Sequence, residues 1–192
     1  MSPSQFQAAA LEVLKNYWRI KAANAVYRSS PDVATGRLEY SNVPVVGVTA
    51  NQFASESVAD AMSALHGFIV RRLPRDLFLA LIAEFESRIV SRLISLGELG
   101  DGTLGELQAR IQGRIALPKA LVDDLNEVRI RRNMMIHHGD IADSKYVAAS
   151  VAVSSRASPF VQVATAGDNV SPTEGYLAYS ADVLVRYSNS VG

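Results

Sequence analysis

The segment 118–138 carries the most regular hydrophobic pattern in the chain. Its apolar residues lie three, four or seven positions apart: Leu121, Leu125, Val128 and Met135. This spacing places them on one face of an α-helix of about 20 residues. Arg132 falls in the same register, three residues before Met135. Because a guanidinium is costly to bury unless an anion meets it, the pattern predicts a long core helix whose apolar face is interrupted by a cation.

Polar residues cluster where this helix should end. Asn133 follows Arg132, and His137, the type of side chain best suited to move a proton near neutral pH, comes five residues after the arginine. An arginine, an amide and a histidine would suit a site that handles phosphate. A structural interpretation is also open, since cations favour helix C-termini and Gly139 suits the position just past one. In that interpretation Arg131 pairs with Glu127, and Arg132 extends its stem along the core.

Helix start and stop signals predict a mainly α-helical bundle. Ser2, Pro3 and Gln5 form a start signal with a capping box for a helix over about 3–28, and Thr103 with Glu106 forms a second such box. Further helices are predicted over 54–72, 76–97 and 118–138, the first of them ended by Leu73-Pro74. We expect the two long helices, 76–97 and 118–138, to pack as an antiparallel pair and form the spine of the bundle.

The remaining segments are less regular. Residues 29–52 predict a long connecting insertion with a short edge strand around Val43–Val48, which Pro44 would weaken. A short helix should run from about 143 to 151. In 155–192 we expect a small β-hairpin, with strands at 160–164 and 176–178, and then a terminal helix capped by Ser180. The whole chain, 1–192, should form one domain with 155–192 as an appendage.

Composition limits the classes of function. The 192 residues are 48% hydrophobic, and 19 basic residues balance 19 acidic ones, which argues against a protein that coats nucleic acid with a basic surface. The chain has no cysteine, and its three histidines lack zinc-ligand spacing, so no metal site is expected. Neither of the glycine-rich phosphate-binding motifs, GxGxxG and GxxxxGK followed by Ser or Thr, occurs in the sequence, and no cofactor is predicted. No signal peptide or membrane-spanning run is evident, so a cytoplasmic protein is expected.

The order Arg132-Asn133, three residues, His137 and then Gly139, at the end of a long helix, resembles the Arg-x4-6-His motif of the HEPN superfamily. The segments Gly139-Asp140-Ile141 and Lys145-Tyr146, just downstream, also resemble sequences of this superfamily. Upstream, 76–97 is similar to the first long helix of the family's helical hairpin. The resemblance extends over about 53–189, but only the decapeptide 131–140 is specific.

The resemblance implies a metal-independent endoribonuclease, as in a toxin or defence effector. His137 would transfer the proton when the RNA 2′-OH attacks the adjacent phosphate, Arg132 would hold the phosphate oxygens, and Asn133 would orient the phosphate or the imidazole. Five helical residues correspond to about 140° of rotation and about 7.5 Å of rise, so one helix closes such a site poorly. Family members dimerise, and the resemblance therefore also implies a homodimer through this helix.

Several alternatives stay open on the sequence. His138 could replace His137 as the working imidazole, and Arg131 could assist. The cluster Arg71, Arg72 and Arg75 is either a solvated basic turn or a contact for the RNA backbone. Finally, the chain could be a non-catalytic module that binds a nucleotide or a protein partner, such as the antitoxin of a toxin–antitoxin pair.

Overall fold

Five of the seven helices in the described residues begin after a residue whose side chain caps them. The computed structural model describes residues 1–29, 37–39 and 55–192. Seven helices occur in these ranges: α1 (Pro3–Arg28), α2 (Val58–Arg71), α3 (Leu73–Ser95), α4 (Leu104–Arg114), α5 (Lys119–His137), α6 (Ser144–Ala157) and α7 (Glu174–Ser190). Both predicted capping boxes are present, at the start of α1 and at the start of α4.

Side-chain caps also fix the starts of α2, α6 and α7. Ser57, Asp143 and Thr173 each accept a hydrogen bond from the backbone N–H three residues along the chain. The predicted break falls at Arg72, between α2 and α3, and Leu73-Pro74 forms the first turn of α3, where the missing N–H of Pro74 is not needed. The predicted start of this helix at residue 76 was therefore three residues late. The sequence therefore located helix starts well where a capping box marks them, at α1 and α4.

All seven helices contribute residues to the main core, and α2 contributes Ile69. The largest enclosed side chains of this core are Phe6, Phe78, Phe85, Ile69, Tyr176 and Tyr187. Phe85 contacts Phe6 and Tyr187, with ring centroids 5.7 and 5.8 Å apart, and so joins α3 to both α1 and α7. On α1, Tyr17 is buried while the neighbouring Trp18 is 54% exposed.

The packing order corrects the predicted spine. α5 packs most extensively against α6, while α3 packs against α1 and α7. The start of α3 does lie beside the end of α5, but the two helices meet there through long side chains, such as Arg75 against the carbonyl of Met135. The most extensive helix contact in the bundle is therefore α5–α6, where the small α6 residues Ala149 and Ser150 are buried.

The predicted C-terminal hairpin is wrong. Residues 176–178 lie inside α7, which begins at Glu174 after the Thr173 cap, and 160–164 form irregular chain. Asn169 forms only an isolated β-bridge with Ile141. Since α7 contributes Tyr176, Leu177 and Tyr187 to the core, it is an integral part of the bundle.

Two short strands, β1 (Arg37–Glu39) and β2 (Ser55–Ser57), pair antiparallel, with Arg37 opposite Ser57. The predicted edge strand around 43–48, and most of the 29–52 insertion, lie outside the described residues. Within the described ranges, no helix is both long enough and apolar enough to cross a membrane.

Candidate functional site

The end of α5 is a sharp turn made by two residues in left-handed backbone conformation. Gly139 has φ 59° and Asp140 has φ 65°. The N–H of His138 and the N–H of Asp140 both donate to the carbonyl of Met134, at 2.9 and 3.1 Å, and so satisfy an otherwise free helix terminus. The turn leaves His137 and His138 exposed at the helix end.

A cleft of about 330 Å³ lies at this end of α5, between it and the start of α6. It is lined by Arg129, Ile130, Asn133, Met134, His137, His138, Asp143 and Lys145. Arg129 and Lys145 supply two fixed positive charges, and the carboxylate of Asp143 is already used to cap α6. With two imidazoles beside them, these groups make the cleft a site that favours an anion over a cation.

Arg129 is the cation of this cleft that the sequence argument did not single out. Its Nη2 donates to Asn126 Oδ1, while its buried Nε has no hydrogen-bond partner among the described residues. Burial lowers the pKa of Arg129 below its ordinary value. Its position four residues before Asn133, on the same helix face, was the available signal in the sequence.

Arg132 does not line the cleft. Its side chain is 28% exposed, its Nη2 lies 3.7 Å from Glu86 Oε1 of α3, and its Nη1 donates to Asn133 Oδ1 at 3.2 Å. Of the three predicted catalytic residues, the structure thus brings Asn133 and His137 into one cleft and places Arg132 at its border, linked through Asn133. His138 shares the cleft with His137.

Arg131 is the buried cation of α5. It is 6% exposed, and its Nε donates to Glu127 Oε1 at 3.0 Å, which confirms the predicted pair. Its Nη2 donates to the hydroxyl of Tyr146, and its guanidinium lies 3.6 Å from the ring centre of Tyr176. Both tyrosine hydroxyls donate to Glu127, at 2.8 and 2.9 Å. Arg131 therefore serves the interior and not the cleft of His137.

The surroundings of Arg131 hold it in the charged form. Burial alone would lower its pKa, but Tyr176, Glu127 and Tyr146 together raise the pKa above the ordinary arginine value. Burial and Glu127 likewise raise the pKa of the Tyr176 and Tyr146 hydroxyls. The cluster is a neutral, hydrogen-bonded ion pair that joins α5, α6 and α7.

The three arginines near Leu73-Pro74 do not act as one patch. Arg75 is half-buried, its Nη2 donates to the carbonyl of Met135 at 2.8 Å, and its Nε lies 3.5 Å from Asp140 Oδ1. It therefore stabilises the turn after α5. Arg71 and Arg72 are exposed, and Arg71 borders a separate cavity near Lys21.

In the part of the chain that the structure describes, no group of histidine and carboxylate side chains is arranged to hold a metal ion. Comparisons of the chain with protein-family models, with curated protein sequences and with solved structures found no match. The HEPN resemblance accordingly stays a prediction.

Proposed function

We propose that the protein is a metal-independent endoribonuclease, of the kind found in toxins and defence effectors, and that the cleft at the end of α5 is its active site. The observation that carries the proposal is that His137 and Asn133 share one cleft with the cations Arg129 and Lys145. A proton-transfer group beside fixed positive charge is the minimum that cleavage of a phosphodiester by an internal hydroxyl needs.

In this reaction the 2′-oxygen of RNA forms a bond to the adjacent phosphorus while the bond from phosphorus to the 5′-oxygen breaks. His137 accepts the proton of the 2′-OH, and the imidazolium so formed returns a proton to the leaving 5′-oxygen. Arg129 and Lys145 stabilise the negative charge that develops on the phosphate oxygens. The products are a 2′,3′-cyclic phosphate and a 5′-OH, and RNA supplies the nucleophile itself.

Arg132 would join the site across a homodimer formed through α5. Its contact with Glu86 is long and partly exposed, so breaking it costs less than about 1 kcal/mol. Ile136, next to His137, is 45% exposed and gives this end of the helix an apolar surface for a partner copy. In such a dimer, Arg132 of one protomer would face the cleft of the other.

Cleavage of single-stranded RNA in excess EDTA tests the proposal. His137→Ala should reduce the rate by about 10²- to 10⁴-fold, the usual effect of losing a general acid or base. The matched control is His66→Ala, because His66 is exposed on α2 and lies outside the cleft. RNA with 2′-O-methyl groups should resist cleavage. Equal activity of the two histidine variants, or cleavage of DNA at a similar rate, would contradict the mechanism.

Mixing two inactive variants tests the dimeric site. If Arg132 acts in trans, chains carrying Arg132→Ala and chains carrying His137→Ala form a heterodimer in which one site keeps both residues. Activity should then reappear on mixing, whereas a site contained in one chain would stay inactive. Sedimentation equilibrium of the wild-type protein should show a dimer at micromolar concentration.

A second candidate function follows from the position of Arg132. Because Arg132 borders the cleft and contacts Glu86 instead of lining it, the cleft could bind phosphate without cleaving it, as a non-catalytic nucleotide- or partner-binding module would. RNA binding that depends on Arg129 and Lys145, together with no cleavage of any RNA by a folded dimer, would favour this function.

A further inference from the structure

A second cavity, of about 290 Å³, lies on the side of α5 that faces the segment 159–173. Arg131 and Tyr146 form its floor, and the segment 159–173 supplies the rest of its lining, including Phe160, Val163 and Asn169. Its volume is close to the lower limit of pockets that bind small molecules. The cavity therefore suits a ligand no larger than one or two fused rings with a few polar groups.

The floor of the cavity presents one free donor group. The hydrogen bonds of the buried Arg131 use Nε and Nη2, and Nη1 has no partner among the described residues. The remainder of the guanidinium is fixed by Glu127 and by the Tyr176 ring. A donor held rigidly at the cavity without a protein partner favours a ligand that brings an acceptor atom to that point.

The charge of the cavity argues against an anion. Glu127 neutralises Arg131, and Asp168, whose pKa is lowered by a hydrogen bond from the backbone of Thr165, adds a negative charge to the lining. Side chains that can donate and accept, from Asn169 and Ser171, complete the polar part. The ligand that fits is neutral and carries both acceptors and donors.

The apolar wall suits a flat ligand. Phe160 and Val163 are exposed, and the Phe160 ring stacks nearly parallel on Tyr179, at 6.1 Å between centroids and 17° between planes. The Cδ1–Cε1 edge of the Phe160 ring also packs against Gly175, where an added Cβ atom would lie 3.1 Å from Cδ1. The ring is thus held in one orientation.

The segment that closes the cavity is pinned along its length. Ala164 N–H donates to Ser150 Oγ, Gly167 N–H to the carbonyl of Ala142, and Val170 N–H to the carbonyl of Asp140, at 2.8 to 3.0 Å. The cavity is therefore preformed, and binding would not need to order the loop.

We propose that this cavity binds a single nucleobase, with an acceptor of the base on Arg131 Nη1, its donors on Asn169 or Asp168, and its face against Phe160 and Val163. Proteins that read single-stranded RNA take up unstacked bases on aromatic side chains in this way. The choice of a nucleobase among planar neutral ligands rests on the proposed ribonuclease function. The base can come from a free nucleoside or from a nucleotide of an RNA strand.

Filling the cavity tests the inference without requiring cleavage. The probes are adenosine, guanosine, cytidine and uridine, titrated into the wild-type protein and followed by NMR chemical shifts. At least one nucleoside should bind with a dissociation constant on the order of 1 mM or tighter. Val163→Trp should weaken that binding by about tenfold or more, as should Phe160→Ala, which removes the stacking ring.

Val151→Trp is the matched control, since Val151 is 56% exposed on α6 against 58% for Val163, and it does not line the cavity. Binding of no nucleoside at about 10 mM, tenfold above the expected constant, overturns the inference, as does equal weakening by both tryptophan variants.

The RNA arm uses His137→Ala protein and a short single-stranded RNA, with and without one abasic nucleotide. If removing one base weakens RNA binding, and does not do so in the additional Val163→Trp variant, the base in the cavity comes from the RNA strand. If Val163→Trp weakens the binding of nucleosides but not of RNA, the ligand is a free nucleoside. If wild-type protein binds nucleosides through the cavity but cleaves no RNA, the proposed function fails and the cavity assignment stands. If it cleaves RNA but binds no base, only the cavity assignment fails.

Discussion

Arg131 and Arg132 are adjacent in the chain, yet their surroundings differ sharply. Arg131 is enclosed with Glu127 and two tyrosine hydroxyls, whereas Arg132 lies at the half-exposed border of the α5 cleft, near Glu86. One residue along a helix is a rotation of about 100°, which is enough to exchange the interior for the surface. The two arginines therefore form a matched pair for separating stability from function.

Replacing Arg131 should mainly reduce stability, whereas replacing Arg132 should mainly reduce RNA cleavage. Arg131→Met should lower the free energy of unfolding by about 3–5 kcal/mol, because it leaves Glu127 buried without its cation. Arg132→Ala should lower the free energy of unfolding by less than about 1 kcal/mol while abolishing RNA cleavage. Urea unfolding monitored by circular dichroism measures the first quantity. Adding Glu127→Gln to Arg131→Met should recover most of the loss; no recovery would show that the ion pair is not the cause.

The sequence could place these residues only in part. It predicted the Glu127–Arg131 pair from the i, i+4 spacing, which the structure confirms. It placed Arg132 on the apolar face because a period of 3.6 residues leaves the edge of a face ambiguous by one position. The tyrosines that complete the Arg131 cluster come from α6 and α7, and no local pattern in α5 could reveal them.

At the scale of an element, the ends of helices depend on backbone conformation more than on contacts. Gly113 in α4 and Gly139 after α5 both have no atom within 4 Å of an added Cβ, but only Gly139 has a positive φ, of 59°. A methyl group at these two positions therefore differs in backbone strain and not in packing.

The two glycines should respond to alanine with opposite signs. Gly113→Ala should raise the free energy of unfolding by about 0.5–1 kcal/mol, since alanine restricts the unfolded chain and favours the helix. Gly139→Ala should lower it by about 1–2 kcal/mol, because the left-handed conformation is strained for any residue with a Cβ. Thermal and urea unfolding of both variants provide the check. A rise in the free energy of unfolding for both variants would mean that the turn after α5 adopts another conformation in solution.

The helix starts that the sequence located well include both that carry a capping box. Ser2 with Gln5 and Thr103 with Glu106 were predictable because the capping interaction lies within four residues. The start of α7 was misplaced, although Thr173 is an equally good cap, because the short apolar run Tyr176-Leu177-Ala178 resembles a strand as much as a helix. Tertiary packing in the core decides between the two, and it is not visible locally.

At the scale of the whole molecule, one polar cluster ties the first helix to the last. Glu174, at the start of α7, accepts hydrogen bonds from Lys21 and from the hydroxyl of Tyr17, both on α1. The bond from Lys21, followed by the one from Tyr17, lowers the pKa of Glu174 below its ordinary value. The unfolded state therefore takes up a proton at this residue more readily than the folded state does.

This difference predicts a loss of stability in acid. The contribution of Glu174 is present above the ordinary glutamate pKa of about 4.3 and disappears as the pH falls through the lower value of the folded protein. The free energy of unfolding should therefore decrease more steeply from about pH 5 to about pH 3 in the wild type than in Glu174→Gln. Glu84→Gln, at an exposed position on α3, is the control and should follow the wild type. If the free energy of unfolding depends on pH identically in all three proteins, the hydrogen bonds of Glu174 to Lys21 and Tyr17 do not stabilise the fold.

The exposed position of Trp18 determines what tryptophan fluorescence can measure in this protein. It is the only tryptophan of the chain, it already faces water, and Lys21 lies 4.8 Å from its ring centre. Because the wavelength of indole emission depends on the polarity of its surroundings, global unfolding will shift the emission maximum of Trp18 little. The same indole sits one residue from Tyr17 and within reach of the ammonium that bonds Glu174, so its intensity will respond to events at the junction of α1 and α7. Near-ultraviolet dichroism of the enclosed Tyr146, Tyr176 and Tyr187 will instead follow the loss of the core.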